Sequence, residues 1–314
     1  MVGKRAARQG GGMSEDSKRA PAVGVELGGT KCVCLLASGP DDIVEEVRLP
    51  TRGADETLAA IREVLARWRA ERGFRGLGIA SFGPLELDPA SADFGRVTAT
   101  PKPGWRGADL LSIATGLDCP VAIDTDVNGA ALAEGRWGAA QGLRSYAYVT
   151  VGTGIGVGSV VDGRTVRGLG HSEAGHLRVS RRPGDDWPGV CPYHGDCVEG
   201  LASGPAIAAR AGRPGDEVQP DDPAWETAVG ALSDMLHNLV LTTCPQRILI
   251  GGGVADGQPW LFPRLRRGLI DSLGGYATAD RIAADVEAFV QPPALGGRAG
   301  PLGAIALALD APER

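Results

Sequence analysis

The chain has no run of apolar residues near the roughly 18 that a membrane-spanning helix requires. Its first 20 residues also lack the apolar core of a secretory signal. Both absences point to a cytoplasmic protein with no membrane partner. A basic block is missing too: no run is longer than pairs such as Lys4/Arg5 and Lys18/Arg19, and 32 Lys and Arg stand against 38 Asp and Glu, for a net charge of −6. Such a chain gives a duplex no electrostatic footing, so nucleic acid is not an expected partner. His and Cys are scarce, at four and six. In a cytosolic chain of this size those cysteines read as core thiols or metal ligands rather than a disulfide frame.

Glycine is what the chain has in excess, with 48 glycines and 22 prolines among 314 residues. A hydrophobic fraction of 43% against 22% charged residues excludes disorder of the whole chain. The glycines must therefore be explained by position. The length accommodates one large domain or two ordinary ones, with two favoured. Residues 1–20 read as a disordered leader in which Met13 is an alternative start.

Val23 to Leu27, Lys31 to Ala37 and Ile43 to Leu49 read as strands, the first two joined by a glycine turn at Gly28-Gly29. Asp55 is a plausible cap for a helix in which Leu58, Ile61, Leu65 and Trp68 form one stripe, ending near Gly73. Leu77 to Ala80 and Val121 to Ile123 are short strands, and Val127 to Trp137 is an alanine-rich helix. The opening pattern then returns: strand Tyr146 to Val151, turn Gly152-Thr153-Gly154, strand Ile155 to Val161 and a third strand over Arg164 to Leu169. This echo, about 124 residues after the first copy, implies two similar domains whose glycine turns share one cleft, although a common hairpin would look the same. Trp225, Val229, Leu232, Leu236 and Leu239 mark an amphipathic helix, followed by strand Arg247 to Ile250, glycines 251 to 253 and a last helix over Leu302 to Leu309. Strands and helices mixed in this way indicate an α/β protein with mixed sheets.

Glycine turns after strands let backbone N–H groups approach phosphate oxygens. Three of them in one chain favour a nucleotide held between two domains, although any one alone is equally a hairpin turn. Asp126 follows a strand and opens a helix, where a carboxylate can take a proton from a substrate hydroxyl. Alternatively, Asp124 or Asp126 caps that helix through the N–H groups of residues 127 to 129. His176, Cys191, His194 and Cys197 are spaced H-x14-C-x2-H-x2-C, a donor set suited to structural zinc, with His171 the less favoured substitute for His176. Glu173 and Glu199 flank these ligands, and a metal knot would aim both at a polar ligand such as a polyol, although an isolated loop glutamate is by default a solvated charge.

Several segments together resemble the ROK family of sugar kinases, most of all its bacterial fructokinase branch. They are V-E-L-G-G-T-K at 25–31, S-F-G-P at 81–84, T-P-K-P-G-W at 100–105, D-T-D-V-N-G-A-A-L-A-E at 124–134, V-G-T-G-I-G-V-G at 151–158, H-S-E-A-G-H at 171–176 and C-P-Y-H-G-D-C-V-E-G-L-A-S-G-P at 191–205. The resemblance implies an actin-like ATPase, or ribonuclease H-like, fold of two domains with a ligand cleft between them. The first would span 21–126, with a C-terminal helix within 300–314 packing back on it, and the second 127–299, containing the zinc segment 170–205. It also implies transfer of phosphate from ATP to a hexose, D-fructose giving fructose 6-phosphate before mannose or glucose, with a non-catalytic sugar sensor as a further alternative.

Residue by residue, the resemblance makes Asp126 the general base. It sets Gly83, Pro84, Thr125, Glu173, His176 and Glu199 around the sugar. ATP falls to Gly28, Gly29, Thr30, Lys31, Gly152, Thr153, Gly154, Gly252 and Gly253. His176, Cys191, His194 and Cys197 hold structural zinc, while Glu26 orients the water shell of the Mg²⁺ that accompanies ATP. A homodimer is expected. Glu26 stands where most members have Asp, and Thr125 where the glucose-type kinases have Asn; both departures fit the fructokinase branch. Gly129 replaces a commoner Ala, at a cost of about 1 kcal/mol of helix propensity at most.

Overall fold

A computed structural model describes residues 20–312. The expected leader lies outside the described residues apart from Ala20.

The strands β1 (Ala22–Leu27), β2 (Lys31–Gly39) and β3 (Asp42–Pro50) form an antiparallel meander. Helix α1 (Ala54–Glu71) then leads to β4 (Leu77–Ser81) and β5 (Val121–Thr125), which add in parallel beside β1. All four residues of the expected α1 stripe are buried. The helix starts at Ala54 after Gly53, so Asp55 sits in the first turn rather than at the cap; there its charge still favours the helix N-terminus.

After α2 (Asp126–Trp137) the same topology is built again. Strands β6 (Tyr146–Val151), β7 (Ile155–Val161) and β8 (Arg164–Thr165) form the second meander. Helices α3 (Val198–Ala202), α4 (Gly204–Ala211) and α5 (Ala224–Thr243) precede β9 (Ile248–Gly251). A one-turn helix α6 (Gly253–Asp256), α7 (Leu261–Leu273) and β10 (Val290–Gln291) follow, with β9 and β10 parallel to β6. The two five-stranded sheets therefore have matching strand orders, β3-β2-β1-β4-β5 and β8-β7-β6-β9-β10. One detail of the echo differs: of the expected strand over Arg164 to Leu169 only Arg164 and Thr165 ladder with β7, while Arg167 makes an isolated bridge to His171 and its side chain reaches a buried carboxylate.

Each sheet has its own core. Trp68, Ile61 and Leu65 of α1 pack under the first sheet with Trp105 and Ile113, while Trp225, Leu232 and Leu236 of α5 pack under the second. The last helix, α8 (Ala299–Leu309), returns to lie on β1, β4 and α2. Close approach requires glycine here. A Cβ on Gly78 would lie 1.9 Å from the Ala304 carbonyl oxygen, and one on Gly303 would lie 2.2 Å from the Gly129 carbonyl carbon. Gly129 thus sits where two helix backbones touch. Among the described residues no helix is long and apolar enough to cross a membrane.

Candidate active site

Every glycine turn of the sequence sits at a strand end. Gly28 to Thr30 closes β1 onto β2, Gly152 to Gly154 closes β6 onto β7, and Gly251 to Gly253 leaves β9. A cavity of about 900 Å³ opens where the first two turns meet the start of α2. Gly29, Thr30, Gly152, Thr153 and Gly154 line it, as do Gly83, Pro84, Thr125, Asp126, Glu173, His176, His194 and Glu199. Glu26, Gly28, Lys31, Gly252 and Gly253 do not. The Gly28 N–H is used within the hairpin, donating to the Lys31 carbonyl at 3.0 Å. Gly253 abuts the second turn, its nitrogen 3.9 Å from where a Gly152 Cβ would stand.

The question whether Asp126 caps its helix is resolved by Thr125. The Thr125 hydroxyl accepts the Asn128 N–H at 3.2 Å and is the cap. Thr125 is buried, so its oxygen is committed to the helix although its side chain borders the cavity. Asp124 caps nothing. Fully buried, it accepts the Thr125 N–H and the Asn128 side-chain amide on one oxygen, each at 2.8 Å. Its other oxygen accepts the Thr165 hydroxyl at 3.1 Å and Arg167 at 2.6 Å, which ties β5 to the strand edge of the second sheet.

Asp126 accepts the neighbouring Val127 N–H at 2.9 Å and faces the cavity. Burial pushes its carboxyl up to about 6; the Val127 N–H works against this rise and the Glu173 charge adds to it. Glu26 is pushed up to about 7, first by burial and then by the charge of Asp126. Its carboxylate occupies the space left beside Gly300, where an added Cβ would lie 1.9 Å from the Glu26 Oε1.

The ligating atoms of His176, Cys191, His194 and Cys197 lie within 4.8 Å of one another. The His176 Nδ1 is 3.5 Å from the Cys197 Sγ and 3.6 Å from the Cys191 Sγ, which is in turn 3.7 Å from the His194 Nδ1. Metal–sulfur bonds of about 2.3 Å and metal–nitrogen bonds of about 2.0 Å, set tetrahedrally, separate sulfur from nitrogen by about 3.6 Å. A metal centre of this type fits the quartet. His171 stands apart, its Nε2 accepting the Leu85 N–H at 2.9 Å and its Nδ1 3.4 Å from the Glu173 Oε1.

With Nδ1 turned to the sulfurs, the His176 Nε2 points the other way, 4.0 Å from both the Glu173 Oε2 and the Glu199 Oε1. The Glu199 Oε2 accepts the Ile155 N–H at 3.0 Å, at the foot of the second glycine turn. Burial holds Glu173 above the usual carboxylate range, while His171 and His176 oppose that shift. Phe82, Thr100, Lys102 and Tyr193 also line the cavity without having been singled out as site residues. Their long-range placement leaves no local spacing to find, although Lys102 lies inside the T-P-K-P-G-W segment.

Two sheets of one strand order, with glycine turns and carboxylates gathered around a common cleft, define the actin-like ATPase class of fold. The ROK family model matches residues 22–311, and the chain belongs to that family. It is 41% identical to a fructokinase of Zymomonas mobilis, an alignment covering 92% of this chain and 97% of that protein. A fructokinase of Pediococcus pentosaceus is 34% identical over 90% of this chain and 96% of its own. Among solved structures, the ROK hexokinase of Thermus thermophilus superposes with a TM-score of 0.71 at 30% identity, covering 92% and 97% of the two chains.

Proposed function

We propose that the protein transfers the γ-phosphoryl group of ATP to a hexose, D-fructose in first place, yielding fructose 6-phosphate and ADP. The observation that carries this is Asp126, freed of capping duty and facing a cavity bounded by two glycine turns and by the Glu173/His176/Glu199 cluster. Fructokinases among the relatives supply the sugar.

In this reading the N–H groups of the glycine turns hold the phosphates, and the third glycine element, next to Gly152, borders the nucleotide. The sugar lies against Glu173, the His176 Nε2 and the free Oε1 of Glu199, with Gly83 and Pro84 as its floor. Its 6-hydroxyl oxygen forms the new bond to the γ-phosphorus as the bond to the β–γ bridging oxygen breaks. Asp126 takes the hydroxyl proton, and ADP carries away the released electron pair. Positioning and charge neutralisation carry most of such a reaction.

Zinc in the His176/Cys191/His194/Cys197 quartet would hold the loop that presents both glutamates, a structural role. Magnesium entering with ATP would supply positive charge to the phosphates. Glu26 fits its outer shell, since a divalent cation would relieve the repulsion between Glu26 and Asp126. We assign 21–126 with α8 to one lobe and 127–299 to the other, in a cytoplasmic homodimer.

A hexose panel at fixed ATP with coupled ADP detection tests the reading. Fructose is expected to give the highest kcat/KM. A tenfold preference for mannose or glucose would overturn the choice of sugar, and sugar binding without ADP release would favour the sensor alternative.

A further inference from the structure

The segment at 98–108 belongs to neither sheet, yet Ala99, Thr100, Pro101 and Lys102 form part of the cavity wall. It is firmly built. Trp105 is wholly buried, donates its indole N–H to the Arg52 carbonyl at 2.9 Å and meets the Phe82 ring edge-on at 4.9 Å. The backbone N–H and hydroxyl of Thr98 both donate to the Pro84 carbonyl, at 2.8 and 3.1 Å. A long charged side chain on a surface loop ordinarily extends into water. Lys102 instead turns back into the cavity: its ammonium donates to the Gly29 carbonyl in the first glycine turn and lies 5.7 Å from the centre of the Phe82 ring.

Among the described residues Lys102 is the only Lys or Arg that lines the cavity, and the same wall carries three carboxylates, Asp126, Glu173 and Glu199. Phosphoryl transfer spreads negative charge over the three equatorial oxygens of the moving group, and fixed positive charge there lowers the barrier. The carboxylates at 173 and 199 sit with His176, whereas Lys102 sits against the glycine turn. We propose that Lys102 is a catalytic residue: its ammonium binds the γ-phosphoryl oxygens of the nucleotide and stabilises them during transfer. The Gly29 carbonyl holds the ammonium at that place, and rotation of its flexible four-carbon stem would exchange one oxygen partner for another.

This rests on the kinase reading above, and the experiment separates the two. The variants are Lys102→Met, Lys102→Gln and Lys102→Arg, each checked for an unchanged unfolding temperature. The measurements are kcat, both KM values, and calorimetric binding of ADP, of a non-hydrolysable ATP analogue and of fructose. For Lys102→Met and Lys102→Gln, kcat is expected to fall by about 10²–10³-fold, the loss typical of removing one transition-state donor. Analogue binding weakens, ADP and fructose affinities stay within about threefold, and Lys102→Arg recovers part of kcat. A kcat within about threefold of the parent in either neutral variant would overturn the role, as would a tenfold loss of fructose affinity at unchanged kcat. A parent protein that releases no ADP with any hexose would instead overturn the kinase reading, and the role of Lys102 with it.

Discussion

Asp126 is free for the proposed chemistry because a neighbour relieves it of structure. The helix behind it is capped by Thr125, so the carboxylate accepts the neighbouring Val127 N–H and stays available to a substrate. Its raised pKa, about 6, tunes it toward its task, since a base is most effective when its pKa lies near the working pH. The sign is fixed by the required form. A base must be ionised, so kcat/KM is expected to fall tenfold per pH unit well below 6 and to level off above it. An acid limb centred near 4, the ordinary carboxylate value, would show that burial does not govern this group. Asp126→Asn removes the acceptor and should lower kcat by about 10²–10⁴-fold with fructose binding retained; a variant keeping a tenth of parental turnover would remove Asp126 from the role. Asp126 was legible in the sequence as a strand-to-helix carboxylate. Its release from capping was not, because Asp124, Thr125 and Asp126 all have side chains able to cap, and only the fold reveals that Arg167 and Thr165 claim Asp124. The placing of Lys102, and that of His171 away from the metal quartet, were hidden for a related reason. Their partners, Gly29 and Leu85, lie far away in sequence.

Among the elements, strands and helices followed their periodicity closely, whereas the packing of α2 on α8 did not announce itself. In isolation Gly129 is a blemish in a helix, costing up to about 1 kcal/mol. In the fold it is the point where α8 crosses α2 at backbone contact, and Gly303 faces it. The energetic logic runs opposite to propensity: a methyl on Gly303, which would favour its own helix, would force the pair apart. Gly303→Ala is therefore expected to destabilise the protein by about 1–3 kcal/mol in urea unfolding, as overpacking of a tight interior contact does. Gly297→Ala, with nothing within 4 Å of its would-be Cβ, should stay within about 0.5 kcal/mol and serves as control. Equal effects of the two would show that the crossing is not tight. Two strands were misread: β10 was not read at all, and Arg164 to Leu169 was drawn too long, since beyond Thr165 the chain leaves β7 and the Arg167 side chain reaches Asp124.

For the molecule as a whole, the repeated sheet order gives each lobe its own core and leaves their shared face to glycine turns. That face accounts for a few of the glycines, Gly29, Gly152 and Gly154, where bare backbone borders the cavity. With zinc bound as proposed, the His176/Cys191/His194/Cys197 quartet would tie the 170–205 segment together, since Cys191 and Cys197 are buried and form no disulfide. Purified protein is expected to hold one zinc per chain by elemental analysis. Cys197→Ser should abolish that content, lower the unfolding temperature and weaken fructose binding together, since His176 and both glutamates lose their anchor. Metal-free parent protein with unchanged stability and sugar affinity would refute the structural role.

The bond from the Ile155 N–H to the Glu199 carboxylate has a thermodynamic corollary. If the proposed zinc and nucleotide both bind, Glu199 reaches from beside the metal quartet to the foot of the second glycine turn, and a coupling free energy between the two ligands is expected. Linkage is reciprocal: whatever factor the ion contributes to nucleotide affinity, the nucleotide returns to ion affinity. The zinc measurement can be extended to read it, as a chelator titration with and without ADP in which ADP raises the chelator concentration needed for half removal. The ion, on this account, is a ledger entry for the nucleotide as well as a clasp for the loop.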